Sequence, residues 1–231
     1  MVAMSRAKRI GLAMGGLVLL NGIIVLWLLR FAPMGSHGTR FIPVSLSQHT
    51  NGPLQTSWLP NEDPGNNLAS LPTGRQELGG VIFDVQGLIQ LQGQCWVKRG
   101  YDLPERVEGI PVHRACRRVH ILHANSGFGD PPGTTVASLV LRYTDGEQAS
   151  LDIRHRENVL DFWAWRPATP TDTNTVVAWT GDSPATSRRG FGVRLCRTTF
   201  ENPQPGKVIA TIDYVSAMAG SAPFLVALTV E

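Results

Sequence analysis

Beyond residue 30 this chain has no sustained apolar period near 3.6, no long heptad run and no internal repeat, so helices cannot supply its core. It carries instead short runs in which apolar and polar residues alternate, punctuated by turn residues. The most definite is residues 134–153, where Ala137, Leu139, Leu141 and Tyr143 share one face before Asp145-Gly146 turns the chain into residues 149–153. That pattern predicts two antiparallel neighbours. Further strand-like runs fall at residues 41–46, 80–85, 88–91, 119–124, 192–200, 207–215 and 224–230. In the last, Phe224, Val226, Leu228 and Val230 alternate with Leu225, Ala227 and Thr229, which predicts a half-buried strand pairing near the first one. The 24 Gly and 16 Pro of the 231 residues supply the many turns such an all-β chain needs. The expected architecture is a two-sheet sandwich over residues 41–231.

The amino terminus is of another kind. From Ile10 onward, residues 10–29 are apolar apart from Asn21 and small glycines, with Arg9 and Arg30 at the ends. Twenty apolar residues match the roughly 20 a spanning helix needs. The alternative is a cleaved signal peptide, but its apolar region is usually about 7–15 residues long, and no clear small-x-small cleavage site follows here. The expected order is a short cytoplasmic tail at 1–9, a transmembrane helix at 10–30, a stalk at 31–40 and the β domain at 41–231. Arg6, Lys8 and Arg9 outweigh Arg30 and Arg40, which places the tail in the cytoplasm and the domain in the periplasm or outside the cell. Gly11 and Gly15 have the G-x-x-x-G spacing that supports close helix packing, a spacing that unpartnered membrane helices also carry.

Charge follows this division. Four of the 21 basic residues and none of the 18 acidic ones lie in residues 1–39, which leaves 17 against 18 and a net of −1 for the rest. The basic balance of the whole chain therefore belongs to the membrane flanks. Without a basic stripe on the domain, counterion release cannot drive nucleic-acid binding. Cys95, Cys116 and Cys196 would stand in an oxidising compartment; the preferred reading is that Cys116 and Cys196, each inside an apolar strand pattern, are small buried thiols, and Cys95 with Cys116 is the pair to expect if a bridge forms. No Cys/His spacing suggests zinc. His120 and His123 fall on opposite faces of a regular strand and cannot share a metal.

Residues 71–91, LPTGRQELGGVIFDVQGLIQL, resemble the opening of galactose-binding-like jelly rolls, bacterial accessory domains of the carbohydrate-binding-module kind. Asp161-Phe162-Trp163, Ala178-Trp179-Thr180-Gly181 and Thr199-Phe200-Glu201-Asn202-Pro203 resemble a "V.DW…AW.G…W.NP" pattern in uncharacterised bacterial domains of this type. Phe200 stands where that pattern has tryptophan. With VHILHA at 119–124 the resemblance covers nearly all of residues 41–231. It implies a jelly roll tethered to the membrane. In such domains the early loop often holds a structural calcium ion, and Asn51, Asn61, Asp63 and Asn66 are the oxygen-bearing candidates here. With one carboxylate among them, an ordinary surface loop is the preferred reading and no cofactor is expected.

Sugars present flat C–H faces to aromatic rings and hydroxyls to polar side chains. An extended backbone through Asp161 and Trp165 would put Trp163 and Trp165 on one face. The expected carbohydrate site therefore stacks Trp163, Trp165 and Trp179, with Asp161, Glu201 and Asn202 on hydroxyls; the other reading is that the rings cap the sandwich as core. No G-x-S-x-G, HExxH or phosphate-loop motif is present, so the expectation is a non-enzymatic recognition module. Two further readings stay open. One is a structural or signalling ectodomain that binds an envelope protein, and the other is a glycoside hydrolase whose carboxylate pair assembles only in space.

Overall fold

The computed structural model describes residues 40–231 apart from Pro60 and Phe128, so the proposed membrane segment at 10–29 lies outside the described residues. No helix among the described residues is long and apolar enough to cross a membrane. The Asp145-Gly146 hairpin joins β7 (Thr135–Tyr143) to β8 (Gln148–Arg154), with Leu139 opposite Leu151 and Leu141 opposite Ala149. Its turn needs Gly146, whose φ of +90° side-chain-bearing residues rarely adopt. β11 (Val208–Ser216) pairs with the other edge of β7, and β5 (Arg106–Ala115) pairs with β11. The result is an antiparallel sheet in the order β5-β11-β7-β8.

The second sheet is organised around β12 (Ala222–Val230), which lies between β1 (Ile42–Val44) and β6 (Arg118–Ser126). β10 (Val193–Glu201) and β9 (Thr175–Gly181) extend it beyond β6, while β4 (Ile89–Gln90) also pairs with β12. A separate hairpin joins β2 (Gly74–Leu78) to β3 (Val81–Val85). Two one-turn helices, α1 (Gln94–Val97) and α2 (Pro184–Ser187), punctuate the loops, the latter held by a Ser183/Thr186 capping box.

Two apolar clusters explain this arrangement. In the first, Val119, Ile121, Leu225, Leu228 and Val230 of the β12-centred sheet meet Ile110, Leu139, Ile212 and Tyr214 of the other. In the second, Leu122, Ala124, Leu195, Phe224 and Val226 meet Phe83 of β3 and Leu54, Trp58 and Leu68 of the long loop before β2. Both faces of β12 are therefore covered, and all nine of its residues are buried. This corrects the half-buried reading: strict alternation fails because a bulge between Leu225 and Ala227 puts Val226 and Ala227 on the same side. Leu228 and Val230 thereby return to the first cluster.

Three strands have no counterpart in the sequence reading. β5 holds Pro111, charged residues and one fully buried side chain, Ile110, as befits a strand at a sheet edge. β9 lies at the edge of the other sheet, and β2 packs little more than Leu78. Cys95, Cys116 and Cys196 are all free thiols, and Cys116 and Cys196 are buried, as the reading of small buried thiols expects; the Cys95–Cys116 bridge is absent.

Candidate functional site

Trp58 sits in the loop between β1 and β2, where its Nε1 donates to Gln90 Oε1 at 2.9 Å. Its ring packs on Phe162 at 5.8 Å and Phe224 at 5.4 Å, and those two rings meet edge-on at 5.5 Å. Burial of three rings makes this a rigid floor. Trp96 comes from α1, which docks on residues 219–221 through Gln94 N to Ala219 O and Cys95 N to Gly220 O, both 2.8 Å. Gly93 permits that docking, because a Cβ there would lie 2.2 Å from Ser221 O. Arg99 covers the Trp96 face at 5.0 Å and pairs with Glu62 at 2.9 Å. Trp163 leaves the buried Asp161-Phe162 segment half-buried, with Nε1 donating to Asn66 Oδ1 at 2.9 Å and Phe191 beside its ring at 5.6 Å.

Between Trp58, Trp96, Phe162 and Trp163 lies a cleft of about 560 Å³, with Glu62, Asn66, Lys98, Arg99, Asn125 and Ser126 among its polar walls. That volume lies within the range of about 300–1,000 Å³ usual for small-molecule sites. A second depression of about 650 Å³ adjoins it and shares Trp58 and Arg99. At the inner end, Asn125 closes β6 with Nδ2 donating to Ser221 Oγ at 2.5 Å. Asp130 fixes that corner by accepting from Gly220 N at 2.9 Å and Ser221 N at 2.8 Å.

The sequence-predicted residues do not converge. Asp161 is buried 3.2 Å from His155 Nε2, an ion-pair approach in which neither atom has a well-directed hydrogen bond. Trp163 lines the cleft. Trp165 is 40% exposed, stacks with Arg166 at 4.1 Å and is not a lining residue. Trp179 lies on β9 opposite Leu195, half-buried against the second apolar cluster. Trp163 bridges Val193 at the start of β10, whereas Glu201 ends it. Eight steps of about 3.3 Å put these ends about 26 Å apart. Glu201 there pairs with Arg118 at 2.7 Å, and Asn202 spends its amide on Tyr143 Oη, Cys116 O and Gln204. A single site cannot hold all six.

Three of the four calcium candidates spend their oxygens within the fold. Asn51 Oδ1 accepts from Gln90 N at 2.8 Å, Asn66 Oδ1 from Trp163, and Asp63 from Gly65 N at 2.8 Å and from the Arg188 guanidinium. The fourth, Asn61, is exposed. No cluster of three or more His, Cys, Asp or Glu suited to a metal occurs among the described residues. His120 bonds Thr199 and His123 bonds Thr198, adjacent residues of β10, so the two imidazoles face opposite sides of the sheet.

The charged and titratable side chains of the cleft are Glu62, Cys95, Lys98 and Arg99. Cys95 lines it, but burial, only partly opposed by Arg99, pushes its thiol up to about 11, which leaves almost no thiolate at neutral pH. Among the described lining residues Glu62 is the one carboxylate, and Arg99 holds it. The predicted site omits Trp58, Asn125 and Phe162 of this lining and, with them, Trp96. Trp96 stands in a polar, turn-rich stretch without periodicity, and only its residue type could have flagged it.

No family model, curated protein or solved structure matches this chain, so no family is assigned to it.

Proposed function

We propose that residues 41–231 form a galactose-binding-like jelly roll that binds carbohydrate without catalysis, held by residues 10–29 at the outer face of the cytoplasmic membrane. The observation that carries this reading is the aromatic-floored, polar-walled cleft between Trp58, Trp96, Phe162 and Trp163. The strand orders support the fold. One sheet contains β4-β12-β6-β10 and the other β5-β11-β7-β8, so the chain from β4 onward crosses repeatedly between sheets, as double Greek keys do.

Trp163 is the stacking residue of this site, and Trp165 lies outside it. The full-length chain in mild detergent should bind members of a panel of glycans and cell-wall polysaccharides. Binding should weaken at least tenfold, about 1.4 kcal/mol, in Trp163→Ala and persist in Trp165→Ala. A wild-type chain that binds nothing on the panel would sink the carbohydrate reading.

The protein-partner alternative calls for a contiguous apolar patch. Among the described residues the exposed large apolar side chains are Val97, Trp165, Val176 and Val208, which belong to four separate segments of the chain. A hydrolase calls for two facing carboxylates, which the cleft lining does not supply.

A further inference from the structure

The walls of the cleft run on past Arg99. One wall comes from residues 51–66, in the long loop before β2, and the other from residues 96–104, which lead from α1 toward β5. Glu62 and Trp96 line the first depression, Asn61, Tyr101 and Asp102 the second, and Trp58 and Arg99 line both. Every described lining residue of the second depression belongs to one of these two segments. The two depressions are therefore consecutive stretches between the same pair of walls.

The fold holds both walls in place. On one, Asn51 accepts from Gln90 N at 2.8 Å and donates to Gln90 O at 2.9 Å. On the other, Gln92 donates to Tyr101 O at 2.7 Å through Nε2 and to Pro104 O at 2.9 Å through its backbone N–H. The second depression is thus preformed, which spares a ligand the cost of ordering it. Its polar side chains remain available. Asn61 and Asp102 are exposed, and neither side chain has a hydrogen-bond or ion-pair partner among the described residues. Arg99 gives Nη1 to Glu62 and keeps its other N–H groups. An amide, a carboxylate and a guanidinium together offer the donors and acceptors that hydroxyls require. At about 560 and 650 Å³, each depression alone has the volume usual for one small molecule.

Resting on the carbohydrate reading of the cleft, we infer that the second depression is a subsite for further sugar units, so that the ligand is an oligosaccharide chain and not a single sugar. The unit in the first depression stacks on the aromatic floor. Arg99 stands where the chain passes from one depression to the next, and Asn61 and Asp102 bond the hydroxyls of the units beyond it.

The test is calorimetric titration of the full-length chain in mild detergent with ladders of one to six units of β-1,4-linked glucose, N-acetylglucosamine and mannose. In at least one ladder, affinity should rise about tenfold or more from the shortest bound member to the hexamer. The double variant Asn61→Gly with Asp102→Ala changes two exposed side chains, and glycine accepts the φ of +60° at residue 61. It should weaken the hexamer about five- to tenfold and hold the shortest bound member within about twofold of the wild type. Trp163→Ala, in the first depression, should weaken every length. Affinity that does not grow with length, or growth that the double variant leaves untouched, overturns the second subsite while leaving the carbohydrate reading intact. Failure of every ladder to bind also overturns the subsite, and failure of the wider glycan panel with it overturns both.

Discussion

Asn202 has every polar atom of its amide engaged within its own corner of the fold: Oδ1 takes the Tyr143 hydroxyl and Gln204 N, and Nδ2 reaches Cys116 O at 2.9 Å. Asn202→Ala should therefore destabilise the domain by about 2–3 kcal/mol, read as a lowered urea midpoint, because the buried partners are left unpaired. Glu201→Gln, at an exposed pair with Arg118, should cost less than about 1 kcal/mol. A neutral Asn202→Ala that nevertheless lost ligand would return this residue to a binding role. The contrast shows what a sequence exposes at this scale. That an Asn-Pro pair turns the chain is a local property, but Tyr143, 59 residues away, is not. The opposed faces of His120 and His123 were readable because alternation is local too. That Trp96 and Asn125 line one cleft was not, since it depends on where α1 docks.

α1 docks where it does because of one missing Cβ. Gly93→Ala would drive a methyl group to 2.2 Å from Ser221 O, and the backbone must move. We expect a loss of about 1–3 kcal/mol in thermal unfolding, with weakened sugar binding as Trp96 shifts. Gly206→Ala, with open space around it and no left-handed backbone, should be nearly neutral. Among the strands, those that bury apolar residues on a strict alternation were legible, β7 and β8 above all. The edge strands β5 and β9 were not, because half of their surroundings is solvent and their composition answers to that. β12 was legible as a strand and misleading as a pattern: covered on both sides, it has no polar face to mark its register.

Across the whole domain, buried histidines set opposing pH limits. Burial pushes His123 down to about 3 and lowers His120 as well, so both are neutral in the folded state at neutral pH. The unfolded chain binds those protons near pH 6.5, and the stability present above that value is lost progressively as pH falls. His155 behaves in the opposite sense. Burial disfavours its charge, but the Asp161 carboxylate and Asp130 outweigh this and raise its pKa. Its contribution is complete below about pH 6.5 and is lost as pH rises through the raised value. Melting temperatures measured from pH 4 to 9 should therefore fall on both sides, and Asp161→Asn should flatten the alkaline side; an unchanged alkaline decline would assign it to another group. The place of β12 carries a further consequence. It is the last of these strands to be synthesised, yet β1, β4 and β6 all pair with it. A ribosome adding about 5–20 residues per second leaves β1 unpaired for on the order of ten to forty seconds. Through that interval the nascent domain presents open strand edges to every other chain around it, and its yield in the cell depends on whatever keeps those edges apart.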